Sequence, residues 1–452
     1  MRIPRIMITA PTTGSGKTLV TCGILQALVN RKMNVASFKC GPDYVDPMFH
    51  EKVIGTRSSK IDLFFTDTEV ARYLFCRVAE NSEISVIEGM MGFYDGLAAT
   101  SYTASPYDIS SKFGMPAILV IDCSASCMTS LPLIKGFIEY RKNNIKGVIL
   151  NNMHEIFYPK MKEMIEKETG VTVIGYLPNV KEFVIESRQL GLVTPHEVDR
   201  LKERLNGLAE TMERTIDLDS IVRMASEAPD IEYNVPDLGN KKIKVRIGVA
   251  KDDCFCFIYK DNIELLERFG AKIEYFSPLH DKRLPDNTDG IIIPGGYPEL
   301  YAETLSRNTS MLNDIKERIG NGMPCLAEGG GFMFLHNEMD DRSGRPHRMA
   351  GVIDGKAFRT DMLVRFGYFS VTVKNDGMME KGTTVKGHEF HYWDSTSCGN
   401  DCDAVRPSGS RGHECVHNTK NIFAGFPQLY YYSNPEFAYT FLKKCGSYQK
   451  KR

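Results

Sequence analysis

Ala10-Pro-Thr-Thr-Gly-Ser-Gly-Lys-Thr18 sets two glycines, a lysine and a hydroxyl directly after a short apolar run. Residues of those types at that spacing bind phosphate. Glycine lets the backbone N–H groups of Thr13, Gly14, Ser15, Gly16, Lys17 and Thr18 turn toward a single anion. A helix opening there adds the positive end of its dipole. Lys17 is then placed for the β/γ-phosphates of a nucleotide, and the Thr18 hydroxyl for Mg²⁺. The strict pattern starts with glycine, and this chain has Ala10. A chance glycine-rich turn is the plainer alternative, and Gly-Lys-Thr between a strand and a helix argues against it.

Two acidic segments narrow the chemistry. Lys39-Cys-Gly-Pro-Asp-Tyr-Val-Asp-Pro47 and Glu88-Gly-Met-Met-Gly-Phe-Tyr-Asp-Gly96 each follow an apolar run. Asp43 and Glu88 are candidates to complete a Mg²⁺ shell with Thr18, because that ion takes a few carboxylates beside phosphate and water oxygens. Glycines next to Glu88 and Asp95 let backbone approach a ligand closely.

The elements needed to position these residues are legible. Ile6–Thr9, Asn34–Phe38, Ile84–Ile87, Ala117–Ile121, Gly147–Leu150 and Val171–Gly175 are almost continuously apolar, as strands buried on both faces are. Helical stretches such as Leu19–Asn30 and Leu133–Arg141 separate them. The pattern predicts an α/β fold with a doubly wound, mostly parallel sheet, whose ligands lie at the carboxyl ends of the strands. Glu227–Asn240 is polar and carries prolines, so a linker is expected across 231–243, between a first domain at 1–230 and a second at 244–452. Lys244–Ala250, Lys272–Phe276, Gly290–Ile293 and Met323–Ala327 begin a second alternating pattern.

Composition removes several classes. The 452 residues are 42% hydrophobic and 25% charged, which is globular and not fibrous or disordered. With 56 Lys+Arg against 57 Asp+Glu the net charge is −1, so a nucleic-acid partner is not expected. No apolar run nears the roughly 18 residues that span a bilayer, and the N-terminal residues lack a signal-peptide pattern. A cytoplasmic protein with reduced cysteines and no membrane partner is the expectation.

Together the motifs carry a resemblance. Ala-Pro-x-x-Gly-Ser-Gly-Lys-Thr, Phe-Lys-x-Gly-Pro-Asp-Tyr-x-Asp-Pro and Glu-Gly-x-Met-Gly-x-x-Asp-Gly resemble cobyrinic acid a,c-diamide synthase. Gly175-Tyr-Leu-Pro178, Ser187–Leu192, Phe276-Ser-Pro-Leu279, Gly295-Gly-Tyr-Pro-Glu299 and Gly387-His-Glu-Phe-His-Tyr392 extend it over essentially the whole chain. Ni-sirohydrochlorin a,c-diamide synthases share these motifs. The resemblance implies a dethiobiotin synthetase-like domain that phosphorylates two acetate side chains of a corrin- or sirohydrochlorin-type tetrapyrrole with ATP and Mg²⁺. It also implies a class I glutamine amidotransferase-like domain that supplies ammonia, and a homodimer is expected. Lys17, Thr18, Asp43 and Glu88 form the nucleotide–metal part, and Tyr44 and Asp95 are candidates for orienting the acetate or the ammonia. Asn151 is a candidate for reading adenine, with an ordinary turn asparagine as the alternative.

The second domain departs from the family pattern. The motif resembling Ala-Glu-Cys-Gly-Gly reads Ala327-Glu-Gly-Gly-Gly331, which places Gly329 at the nucleophile. Glycine has no thiol with which to form a thioester. Cys325 lies four residues upstream, about 13 Å along a strand at ~3.3 Å per residue, beyond reach of the turn. The late segment resembling Gly-Tyr/Phe-x-His-Leu reads Gly425-Phe-Pro-Gln-Leu429, which places Gln428 at the histidine. A carboxamide cannot take a thiol proton near neutral pH. His391 remains, but a base without a nucleophile hydrolyses nothing.

Three readings stay open from these residues. The first domain amidates with free ammonia or with ammonia from an external glutaminase; a paralogue activates or binds a tetrapyrrole without amidating it; or the chain is an ATP-gated binding protein. Partition ATPases carry an extra lysine early in the loop, and residues 11–16 hold none. Dethiobiotin synthetase leaves the second domain unmatched, and cobyric acid synthase lacks the Gly-Pro-Asp-Tyr segment in this form.

Other clusters have weaker claims. Cys398, Cys402, His413, Cys415 and His417 crowd one segment at spacings near those of zinc ligands, though not at a common knuckle spacing. Cys123 and Cys127 would share a helical face if that stretch is helical. Cys254 and Cys256, among Phe255, Phe257 and Tyr259, would line a macrocycle-facing surface or a domain-interface core. The terminal Lys-Lys-Arg is expected to be a solvated tail.

Overall fold

Among the described residues, seven strands, all parallel, make the sheet of the first half of the chain. β1 (Arg5–Thr9), β2 (Val35–Cys40), β3 (Arg57–Ile61), β4 (Ile84–Glu88), β5 (Ala117–Asp122), β6 (Ile145–Asn151) and β7 (Thr172–Leu177) lie in the order β3-β2-β4-β1-β5-β6-β7. The computed structural model describes every residue except 126, 181–194 and 410–411. The Ser187–Leu192 motif therefore lies outside the described residues. The chain divides into two units, Met1–Pro236 and Asp237–Arg452.

Alternate residues of β1 supply opposite faces of this sheet. Ile6 and Ile8 join one apolar layer with Leu25 and Leu28 of α1 (Lys17–Asn30), and Met7 joins the other with Phe38 and Phe113. Both faces are covered, which is why the strands read as unbroken apolar runs. β3 escapes that signal. Its sequence is Arg-Ser-Ser-Lys-Ile, and it sits at the sheet edge. The Ser37 hydroxyl meets the hydroxyls of Ser58 at 3.0 Å and Thr56 at 2.8 Å, so hydrogen bonds take the place of apolar packing there. With β3 counted, Glu88 ends the fourth strand and Asn151 the sixth.

The second unit holds a six-stranded sheet. β8 (Val245–Ala250), β9 (Ala271–Phe276), β10 (Gly290–Ile293) and β11 (Cys325–Glu328) pair in parallel, and strand Ile422–Gly425 joins β11. Strand His417–Asn418 adds an antiparallel edge. Two smaller sheets follow β11 in the chain. One contains a long antiparallel pair, Arg365–Val373 with Thr384–His391, and Gln428–Tyr430 extends it. These sheets are not apparent from apolar runs, because only alternate residues are buried.

The cysteine expectations need correction. Residues 123–125 and 127–129 are not helical and the following helix is Ser130–Glu139, so Cys123 and Cys127 share no helical face. Cys254 and Phe255 are fully buried in the core of the second unit, where Phe255 packs 5.3 Å from Phe334.

Candidate active site

The first site is assembled at the carboxyl ends of β1, β2 and β4. Strand register sets it. Glu88 stands beside Ile8 of β1 and opposite Lys39 of β2. The loop after β1 needs two left-handed residues, Gly14 at φ 87° and Gly16 at φ 91°. Ala10 does not, since it is absent from the positive-φ positions and lies buried, with its carbonyl accepting from Phe93 N–H at 2.9 Å. The glycine missing from the strict motif was thus not required by the backbone here.

Within the loop, the Thr12 carbonyl accepts from Ser15 Oγ and from Lys17 Nζ, both at 3.0 Å. Burial lowers Lys17 to about 8, against the opposing pull of the Glu88 charge. Asn151 donates its amide to the Ser15 carbonyl at 3.0 Å, and a Cβ on Gly16 would run into that amide. This asparagine is buried and braces the loop. Asp95 accepts from Gly92 N–H at 2.9 Å, and Gly92 lies so close to the Pro11 carbonyl that a side chain has no room. The segment 89–96 thereby packs back on the loop.

Thr18 Oγ1 donates to Glu88 Oε1 at 2.6 Å, so two of the three expected metal ligands touch. The same oxygen accepts from Lys39 Nζ at 2.6 Å, and Lys39 also pairs with Asp46 at 2.5 Å. Asp43 is not in hydrogen-bond contact with these groups. Its Oδ1 caps Val45 N–H at 2.8 Å, and burial with the neighbouring Asp46 charge raises its carboxyl to about 6. Burial opposes the charge on Lys39, and Glu88 and Asp46 outweigh it, which keeps the ammonium protonated well above neutrality. Burial likewise raises Glu88, with Lys39 opposing. Tyr44 is buried, its ring 6.0 Å from Lys60 Nζ.

Lys39 and Asp46 stand inside the quoted motif but were not singled out from sequence. The available signal was a lysine near the end of an otherwise buried strand, since a buried charge requires a partner.

These groups fit a divalent cation. Asp43, Asp46 and Glu88 crowd around one lysine, and Glu88 Oε2 is buried with no hydrogen-bond partner among the described residues. An unsatisfied carboxylate oxygen in that position is costly unless something binds it. Hard oxygen donors suit Mg²⁺.

The second site is a strand-to-helix turn with Gly329 at its apex and Gln428 beside it. β11 ends at Glu328, Gly329 turns at φ 51°, ψ −114°, and a short helix starts at Gly330. A Cβ built on Gly329 would lie 3.1 Å from Gln428 Nε2, and one on Gly295 would lie 2.7 Å from the same atom. Gly329 and Gln428, far apart in sequence, therefore meet at the turn. Glu328 fixes that strand by accepting from Leu429 N–H at 3.3 Å and from the Tyr431 hydroxyl at 3.2 Å.

Cys325 and His391 are each packed elsewhere. Cys325 is fully buried at the far end of β11, and burial pushes its thiol well up. His391 stacks on Phe426 at 4.1 Å, and both ring nitrogens face acceptors, the Trp393 carbonyl at 2.6 Å and Glu389 at 3.1 Å. Burial works against the Glu389 charge, but hydrogen bonds from His391 and His413 outweigh it and draw the carboxyl down to about 2.

The suspected zinc cluster does not assemble among the described residues. Cys398 turns to Asp394 at 3.3 Å, His413 to Glu389 at 3.1 Å and His417 to the Ser397 carbonyl at 2.7 Å. Cys402 and Cys415 face each other across two strands. Also among the described residues, no helix is long and apolar enough to cross a membrane.

The class is thus a P-loop nucleotide-binding unit followed by a glutamine amidotransferase-like unit. Family models agree. The CobQ/CobB/MinD/ParA nucleotide binding domain matches residues 6–192, and the CobB/CobQ-like glutamine amidotransferase domain matches residues 246–427. Cobyrinate a,c-diamide synthase of Caldanaerobacter subterraneus subsp. tengcongensis is 38% identical over 450 residues, 98% of this chain and 99% of its own. The Picrophilus torridus enzyme of that name is 38% identical over 449 residues, again 98% and 99%. The Clostridium tetani enzyme is 35% identical over 447 residues, 97% and 99%. The chain belongs to the cobyrinate a,c-diamide synthase family, which consists of ATP-dependent amidating ligases.

Proposed function

We propose that the chain amidates the a and c acetate carboxylates of a cobyrinate- or sirohydrochlorin-type tetrapyrrole through acyl phosphates, using ammonia that its own second unit does not release. The observation carrying this reading is the contrast between a fully furnished phosphate site and an elbow bearing Gly329 under Gln428.

A carboxylate resists attack by ammonia because oxide is a very poor leaving group. In the proposed sequence an acetate oxygen attacks the γ-phosphorus, the bond to the bridging oxygen breaks and ADP departs. Ammonia then adds to the acyl carbon, the carbon–oxygen bond to phosphate breaks, and the nitrogen loses a proton. Phosphoryl transfer depends on positioning and charge neutralisation more than on covalent help. Lys17 would meet the β/γ-phosphates, and the N–H groups of residues 13–18 would orient them. Thr18 and Glu88, with Asp43 nearby, would hold Mg²⁺, which offsets charge building on the phosphoryl oxygens when bound. Tyr44 and Asp95 would orient the acetate and the incoming ammonia. Asn151 would act by bracing the loop at Ser15, with adenine recognition as its further role.

The test is incubation of the full chain with ATP, Mg²⁺, ammonium and either cobyrinate or sirohydrochlorin, followed by mass analysis. Two carboxylate-to-amide exchanges on one macrocycle are expected. Replacing ammonium by hydroxylamine should trap each acyl phosphate as a hydroxamate. ATP turnover with neither amide nor hydroxamate, for both macrocycles, would defeat the reading and leave a tetrapyrrole-binding paralogue in its place.

A further inference from the structure

Lys39 has no role in the sequence just proposed, yet it sits at the centre of the buried polar cluster. Its stem emerges from β2 opposite Glu88 of β4, so register alone brings the two together. Nζ lies 2.6 Å from Glu88 Oε1 and 2.5 Å from Asp46 Oδ2, and all three residues are less than a tenth exposed. Thr18 Oγ1 reaches the same Glu88 oxygen at 2.6 Å. A residue expected to ligate metal is thus already held by a protein cation.

We propose that Lys39 is a resident counter-cation that holds the metal ligands in the metal-free protein and must yield Glu88 when metal–nucleotide arrives, remaining tethered by Asp46. The inference rests on the Mg²⁺–ATP part of the reading above and not on the tetrapyrrole or the nitrogen source. Three observations support it. A divalent cation at ~2.1 Å from Glu88 would lie within a few ångströms of the Lys39 ammonium, and two cations that close in a buried site repel strongly. Lys17 brings a second ammonium to the loop after β1, held 3.0 Å from the Thr12 carbonyl, so the site holds two protein cations before any metal enters. Asp46 keeps a second anchor for Lys39 that the metal need not claim. The consequence is order. Metal alone binds weakly because even at the unpartnered Glu88 Oε2 it meets the Lys39 ammonium held on Oε1 and must displace it, whereas nucleotide phosphates add the negative charge that makes displacement favourable.

The experiment uses the full chain and Mn²⁺, with free ion read by electron paramagnetic resonance, so no tetrapyrrole is needed and failed amidation would not affect it. In the unaltered protein a non-hydrolysable ATP analogue should tighten Mn²⁺ binding at least tenfold. In Lys39→Met, Mn²⁺ alone should bind at least tenfold more tightly than in the unaltered protein, and the analogue should add less than threefold. Unchanged or weaker Mn²⁺ binding by a folded Lys39→Met would overturn the proposal. Should that variant not fold, Lys39→Arg decides. Its guanidinium grips carboxylates bidentately, so Mn²⁺ alone should bind at least threefold more weakly, and an unchanged affinity would contradict the latch.

Discussion

The two units place their sites alike and furnish them differently. Each has a parallel strand that ends in a glycine-rich turn leading into a helix, β1 into α1 and β11 into Gly330–Phe334. In the first, side chains lock one another, with Thr18, Lys39, Asp46 and Glu88 tied through single short bonds. In the second, the turn holds Gly329, which carries no side chain, and Gln428 lies beside it. Backbone geometry and chemistry are thus separable. A turn is maintained by hydrogen bonds such as Gly329 N–H to the Gly425 carbonyl at 2.9 Å, none of which needs a thiol.

That contrast can be broken from either side. The largest effect should come from Lys17→Ala, which removes the charge aimed at the phosphates. Ammonium-dependent amide formation is expected to fall by about 10³-fold, read as initial rate. A loss under tenfold would mean the phosphate site is not where the reaction happens. Next, Gly329→Cys with Gln428→His should create glutamate release from glutamine where there was none, because the elbow is already in place. Gly329→Cys alone should remain silent for want of a base. Activity in the single variant would point to a base not identified above.

Smaller effects probe the turn and the loop. Gly329→Ala should cost about 1–3 kcal/mol in denaturant unfolding, since φ 51° with ψ −114° disfavours any side chain, while ammonium-dependent activity stays intact. Equal stability would show that the turn relaxes. Smallest is a pH effect. Lys17, held near 8, loses its proton as pH rises through that value, so nucleotide affinity should weaken by up to about tenfold between pH 7 and pH 9.5. Calorimetry with a flat profile would remove Lys17 from the phosphates.

How much the sequence disclosed followed from the physics of each region. Runs such as Ile84–Ile87 and Ala117–Ile121 are buried on both sheet faces, so composition alone marks them. β3 hid because Ser58 is satisfied by hydroxyl partners, and Arg365–Val373 because only its alternate residues face a core. In the site, the loop at Thr13–Thr18 was visible through glycine, and the meeting of Gly329 with Gln428 through motif order. Lys39 was not, since its value lies in a cross-strand neighbour that only register reveals. The Cys398–His417 segment offered a metal-like spacing that could not be decided from sequence. Closeness in sequence is not closeness in space here, since Cys398, His413 and His417 each face a different partner.

The most direct measurement supplies ¹⁵N-ammonium and unlabelled glutamine together, at equal concentration, to the purified full chain with ATP, Mg²⁺ and tetrapyrrole. Every amide nitrogen introduced should carry ¹⁵N, with no glutamate formed. Unlabelled amide accompanied by stoichiometric glutamate would show that the second unit still hydrolyses glutamine, and would contradict the division of labour between the two sites.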